Sequence, residues 1–139
     1  MTFPAMPPAV AEFYRGSQIP DADLWAGAFA ADGVFHDPVG SEPIVGREAI
    51  RAKLTAVIPK FPGFYGLTPL TAHTVAGRTA VGWTGAVVAA NGNPINWSGI
   101  TIFTLDEDGL IADAAAYFNH DVFVAQLNGS SLLGVSPAH

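Results

Sequence analysis

The stretch Phe35-His36-Asp37-Pro38-Val39-Gly40-Ser41-Glu42-Pro43 places a carboxylate at the end of an apolar strand and follows it at once with turn residues. An aspartate there has two uses. It caps the turn it opens, as Asp before Pro and Gly does by accepting backbone hydrogen bonds. Alternatively it is a base, with a pKa raised by an apolar setting and a reacting proton shielded from water. Asp37 is thus the first candidate for chemistry. Neighbours in a strand point to opposite faces, so His36 is expected outward where Asp37 points inward. A chelate needs convergent ligands, so neither His36-Asp37 nor His120-Asp121 makes a metal pair, and no metal or cofactor is expected.

Outward from this stretch the order of elements is legible. Pro7 and Pro8 suit a helix start, and Val10, Phe13, Tyr14 and Ser17 share one side of a helix ending between Gly16 and Ile19. Asp21 is the expected N-cap of a second helix carrying Leu24, Trp25, Ala28 and Phe29 and stopping at Asp32-Gly33. The strand Val34 to Asp37 follows. A third helix begins at Gly46-Arg47-Glu48, with Ile50, Leu54 and Val57 on its apolar side, and ends before Pro59. Arg47, Glu48, Arg51 and Lys53 form its solvated side, with Glu48 and Arg51 as a three-apart pair. Phe61 to Gly66 is an aromatic loop, either a lid over a cavity or a hydrophobic plug.

From Leu67 onward the pattern changes to strands rich in Val, Thr, Ile and aromatics. They are broken at Gly77-Arg78, at Asn91 to Pro94 and at Asp106 to Gly109, which are turn signals for an antiparallel meander. Helices first and strands afterwards indicate an α+β domain with the helices on one face of a curved antiparallel sheet. One domain is expected over 1–139, with its core at about 9–127 and a tail at 128–139.

Composition narrows the function classes. At 139 residues the fold buries roughly two-thirds of the surface of the unfolded chain, enough for a core and a pocket. Half of the residues are hydrophobic and 13% are charged, a lean polar surface whose apolar surplus suits a cavity lining or a subunit interface. A net charge of −6 with six fixed cations argues against nucleic acid. The absence of cysteine excludes disulfides and thiol catalysis. No stretch reaches the ~20 apolar residues of a membrane span, and the start has no leader pattern, so no membrane partner and a cytoplasmic location are expected.

Helix, helix, Phe29-Ala30-Ala31-Asp32-Gly33-Val34-Phe35-His36-Asp37-Pro38, then Gly46-Arg47-Glu48-Ala49-Ile50 and the late Asp108-Gly109-Leu110-Ile111 hairpin together resemble the nuclear transport factor 2-like superfamily. The similarity runs from about Ala9 to about Phe123 and is greatest to the ketosteroid isomerase and SnoaL-like polyketide cyclase branches. It is strongest over Asp37 to Pro43, a string that ketosteroid isomerases can carry. The resemblance implies a cone, in which a strongly bent sheet wraps three N-terminal helices around an apolar pocket. It also implies that Asp37 is a general base moving a proton between two carbons, opposite an oxyanion hole of a tyrosine and a protonated aspartic acid. In ketosteroid isomerases that second acid is kept neutral by its apolar site, which makes it a strong hydrogen-bond donor. The family's tyrosine position is held here by Phe13, with Tyr14 next to it; its aspartic acid falls on Thr101 and its supporting tyrosine on Leu54.

The candidate catalytic residues are therefore Asp37, with Tyr14, Thr101 or Asn119 polarising the substrate oxygen. Ligand contacts are expected from Phe13, Trp25, Leu54, Tyr65, Trp83, Phe103 and Tyr117, and the ligand is expected to be a hydrophobic, fairly flat carbonyl compound such as a steroid or polyketide. Asn119-His120-Asp121 either supplies a second acid/base group or opens a helix capped by Asp121. His73 and His120 are the stand-ins for the histidines of dehydratase-like chemistry in this superfamily. A homodimer is expected from the resemblance and the low charge of the strands. The alternative function is a non-catalytic binder of hydrophobic small molecules on the same fold.

Overall fold

The computed structural model describes residues 2–129. Helix α1, Pro8–Gln18, has its first turn opened by proline, whose missing N–H belongs to a position that lacks an intrahelical partner anyway. Its buried side carries Val10, Phe13, Tyr14 and Ser17, as the spacing requires. Helix α2, Ala22–Gly27, is capped by Asp21, whose Oδ1 accepts from the Leu24 N–H at 3.0 Å. It is shorter than its sequence suggests. Gly27 ends it, and Phe29–His36 forms strand β1, so Phe29 and Ala30 are extended and Asp32-Gly33 lies within the strand. The helix-favouring alanines are overridden because the segment is held by β6: the Ile111 N–H donates to Ala28 O, and a side chain on Gly33 would overlap Ile111 O.

After β1 come β2, Ile44–Val45, and α3, Arg47–Val57, which buries Ile50 and Leu54. A 3₁₀ turn at Ile58–Lys60 leads into the long strands β3, Gly63–Val75, β4, Arg78–Val88, and β5, Pro94–Leu105. Strand β6, Ile111–Tyr117, and helix α4, His120–Leu127, complete the described chain. The tail expected at 128–139 lies, beyond Gly129, outside the described residues. No helix among the described residues is long and apolar enough to cross a membrane.

The sheet order is β2-β1-β6-β5-β4-β3. Strands β3 to β6 form the expected antiparallel meander, but β1 runs parallel to β6, with Val34 opposite Asp113 and Phe35 opposite Ala114. The antiparallel expectation therefore fails at this one junction. Register shifts at Phe64/Gly66 and Pro69/Thr71 bend β3 against β4. The sheet curves without closing and the helices fill its concave side, which is the cone.

One contact fixes how deeply the helices sit. The buried Ser17 hydroxyl accepts from the Leu67 N–H at 3.0 Å, and Gln18 Nε2 donates to Leu67 O at 2.9 Å. This brings the end of α1 onto the backbone of β3 at Gly66, whose φ of +75° and lack of a Cβ are both required, since a Cβ would overlap the Ser17 carbonyl.

Candidate active site in the mouth of the cone

A cavity of about 230 Å³ lies between the helices and the concave sheet face. Two indoles form much of its floor, and the strands are built around them. Trp83 on β4 stands opposite Gly99 on β5, and Trp97 on β5 opposite Gly85 on β4. Each ring lies so close over the facing glycine that a Cβ there would collide with it, and the two rings meet edge to face at 6.0 Å. Phe13, Trp25 and Leu54 close the helix side, while Phe61, Phe64, Phe118 and Phe123 surround the mouth. The aromatic loop at 61–66 is thus divided: Phe64 already belongs to β3, and its Phe61 and Phe64 side chains are cavity wall.

Polar groups on this wall are few. Asp37 follows β1, and alternation turns it to the same side as buried Phe35, while His36 turns away and meets Asp113 at 3.1 Å. Solvent contact makes Asp37 exposed, whereas the protein packed around its carboxylate makes it deeply set. Both descriptions fit a wall residue, open on the cavity side and enclosed behind. Desolvation pushes its pKa up to about 6, and the charges of His120 and Lys53 oppose that rise. Lys53 and His120 line the same cavity.

Thr101 is buried on β5, where its Oγ1 accepts from Trp83 Nε1 at 2.8 Å. That bond occupies a lone pair and leaves the hydroxyl proton free to donate. Tyr14 is also buried, but it is not on the wall; its ring packs against Phe13 and Phe103. Its hydroxyl has no hydrogen-bond partner of acceptable geometry, although Thr101 is near enough to act on its titration. The two hydroxyls therefore approach each other closely without a well-formed bond. Burial raises the Tyr14 pKa far above its ordinary value, so the phenol stays protonated.

Of the residues expected at the site, Asp37, Thr101, Phe13, Trp25, Leu54 and Trp83 come together on the wall. The others do not. Phe103 is buried in the core cluster, packed edge-on at 5.0 Å against Phe13 and behind the wall. Tyr65 and Tyr117 are 64% and 54% exposed, because strand alternation puts their neighbours Phe64 and Ala116 inward and sends them out. Asn119 lies outside the lining and caps α4, its Oδ1 accepting from the Asp121 N–H at 3.0 Å. It takes the capping role expected of Asp121. His73 is exposed on β3, away from the cavity.

Lys53 and Trp97 are wall residues that were not expected there, and His120, raised as an acid/base alternative, is on the wall as well. Trp97 shares the inward parity of Thr101, two residues per step along β5, and that signal was available. Lys53 carried none, since a charge beside buried Leu54 reads as the solvated side of a helix. Among the described residues no group of three side chains is placed to hold a metal ion. A second hollow of about 420 Å³, between α1, α2 and the β5–β6 turn, is more open and has no aromatic wall.

Residues 10–114 match the family model of the SnoaL-like domain. No curated protein matches the chain. Among solved structures, a protein of ketosteroid isomerase-like fold from Catenulispora acidiphila, in complex with trimethylamine, aligns with a TM-score of 0.78 at 17% identity, covering 88% of this chain and 93% of that one. RV0760c from Mycobacterium tuberculosis, in complex with estradiol-17beta-hemisuccinate, aligns at 0.72 and 22%, covering 81% and 92%. SalBIII, an epoxide hydrolase/cyclase-like enzyme of pyran ring formation in the polyether salinomycin, aligns at 0.71 and 20%, covering 81% and 89%. These are likenesses of fold.

Proposed function

The chain belongs to the SnoaL-like domain family, and from that premise we propose that it is a general acid/base enzyme moving protons on a hydrophobic carbonyl compound, by isomerisation or cyclisation, with Asp37 as base. One observation carries this reading: among the described residues Asp37 is the sole carboxylate on an otherwise mostly apolar cavity wall, with a pKa pushed up to about 6. That value lies close to the working pH, where a base is still ionised and strong enough to accept a carbon-bound proton. The bound steroid ester of RV0760c and the cyclase-like chemistry of SalBIII support a small organic ligand of this kind.

In the proposed step the Asp37 carboxylate takes a proton from the carbon between a carbonyl and a double bond. Electrons of that C–H bond shift to the carbonyl oxygen, and the dienolate accepts a hydrogen bond from the Thr101 hydroxyl. Asp37 then returns the proton at the far carbon of the former double bond, conjugating it with the carbonyl. Trp83 holds the Thr101 oxygen, so the hydroxyl proton is directed away from the indole. With Tyr14 behind the wall, the proposed oxyanion site has the Thr101 hydroxyl in place of the tyrosine and aspartic acid that the resemblance implies. Losing a donor from such a site typically costs about 3 kcal/mol, so a slow enzyme is expected on simple steroid ketones.

The test is conjugated-enone absorbance formed from a β,γ-unsaturated 3-ketosteroid and from its bicyclic counterpart, followed against pH. Because the base must be ionised, kcat/KM is expected to rise about tenfold per pH unit below about 6 and to level above it. A flat profile removes Asp37 as the base. Absence of turnover with retained binding favours the second reading, a non-catalytic binder. One feature points that way: the Tyr14 hydroxyl is sealed off from the cavity.

The same proposal includes a homodimer and a cytoplasmic site of action, the latter in keeping with a chain without cysteine. The convex sheet face exposes Ile100 by 52% and Tyr117 by 54%, side by side in register on β5 and β6. On this pair we place the association surface of the dimer. Sedimentation is expected to give twice the mass of the chain, with Ile100→Glu giving the single mass; a wild-type monomer at high concentration would remove the dimer.

A further inference from the structure

The cavity wall carries three ionisable side chains, one from each of three elements: Asp37 after β1, Lys53 on α3 and His120 at the start of α4. All three are solvent-exposed. Two of them are cations or potential cations, in a chain with only six fixed positive charges.

Lys53 and His120 line the cavity and neither is committed elsewhere; among the described residues Lys60 and Arg78 are also without an ion pair but lie off the lining. Arg51, on the same helix, pairs with Glu48 and Asp23; Arg15 pairs with Glu12; Arg47 donates to Phe29 O at 3.3 Å. Among the described residues Lys53 and His120 make no hydrogen bond and no ion pair, not even with Asp37. The His120 ring lies parallel to that of Phe123, with centroids 6.2 Å apart and planes 4° from parallel. An apolar cavity with two uncommitted donors at its mouth fits a ligand that is greasy at one end and negatively charged at the other.

We infer that the ligand is an amphipathic anion, a cyclic or fused-ring compound bearing a carboxylate, whose ring system enters the cavity and whose carboxylate is held at the mouth between Lys53 and His120. This rests on the reading of the cavity as a ligand site, but not on Asp37 acting as a base. Lys53 and His120 also act electrostatically on Asp37, and a competing role would be to keep that carboxylate ionised and nothing more. The two roles differ in size and in salt dependence. If Lys53 only supports Asp37, its removal takes one screened charge from the site, and the preference for an anion falls a few-fold at low salt and hardly at high salt. If Lys53 anchors the ligand by direct contact, the preference falls towards unity at both.

The experiment is calorimetric titration with decalin-2-carboxylate and with its neutral isostere decalin-2-carboxamide, at pH 7, in low and in high salt. The proteins are the wild type, Lys53→Met, His120→Gln and Asp37→Asn. In wild type the carboxylate is expected to bind about tenfold or more tightly than the carboxamide, as suits a charge-assisted contact. That preference is expected to fall towards unity in Lys53→Met, to shrink in His120→Gln and to grow in Asp37→Asn, where the competing negative charge is gone. Lys53 is exposed, so its variant leaves the core intact. Equal or tighter carboxamide binding in wild type, an unchanged or larger preference in Lys53→Met, or a loss in Lys53→Met that disappears at high salt, overturns the inference while leaving the ligand-site reading standing. If neither probe binds wild type, both fall.

Discussion

Asp37→Asn is expected to lose proton-transfer activity by about 10²–10⁴-fold, the usual contribution of a positioned base, and yet to melt at a higher temperature than wild type above pH 6. The two effects have one cause. Asp37 titrates near 6 in the folded protein against an ordinary value of 3.8. Between those values the folded state holds more protons than the unfolded one, so this group's contribution to stability falls as pH rises through that window. Above about pH 6 the full cost of keeping the carboxylate ionised in its apolar setting persists. Asparagine has no charge to desolvate and is free of that cost. Below about pH 4 Asp37 is protonated in both states, and the two chains are expected to melt together. Enone formation at pH 8, with thermal denaturation at pH 4 and pH 8, checks both halves. A variant that keeps its rate removes the base, and one that melts lower at pH 8 shows that Asp37 is a structural cap for its turn.

Phe13→Ala is expected to cost about 3–5 kcal/mol, as removal of a fully buried aromatic side chain does. The ring meets Tyr14, Trp25, Phe29, Phe35 and Phe103 edge to face at centroid distances of 5.0 to 6.0 Å. It joins α1 to α2, to β1 and to β5 at one point. A loss of that size lowers the melting temperature by roughly 10–20 °C for a chain of this length. Phe13→Leu, which refills most of the volume, is expected to recover the greater part. Phe13 is also cavity wall, so the alanine variant should enlarge the cavity as well as loosen it. A melting temperature within a few degrees of wild type would mean that the aromatic cluster closes over the gap and that Phe13 is not its centre.

The residues that made the fold legible were those whose local and global demands agree. Asp21 caps α2, the Asn91 to Pro94 and Asp106 to Gly109 turns separate strands, and Phe35 and Asp37 alternate with His36 as a strand must. The misplaced boundary at Phe29 to Gly33 has the opposite character. Its alanines favour a helix, and only pairing with a strand some eighty positions later overrides them, a constraint that no local pattern carries. The site was legible where residues sit on strands or on the apolar side of a helix, as with Phe13, Leu54, Trp83 and Thr101. It was illegible where a charged residue at the border of that side turns to the rim, as Lys53 does, or where one step along a strand decides inside from outside, as for Tyr65 and Tyr117. Asp37, which the resemblance singled out, lies on the wall. The resemblance did not reveal that Tyr14, one step along the helix from Phe13, is sealed behind that wall.

The parallel pairing of β1 with β6 has a consequence for how this protein is made. A ribosome releases α1, α2 and β1 early, but the long partner of β1 appears only once Asp113 to Ala115 have been translated, and Phe118, His120 and Phe123 of the cavity wall come later still. Until then β1 has only the two-residue β2 as a strand partner, and its other backbone edge is open, the kind of edge on which unfinished chains associate. The cavity is therefore assembled only once β6 and α4 have been made. A message truncated before that point yields Asp37 without a cavity, and a product for quality control to remove.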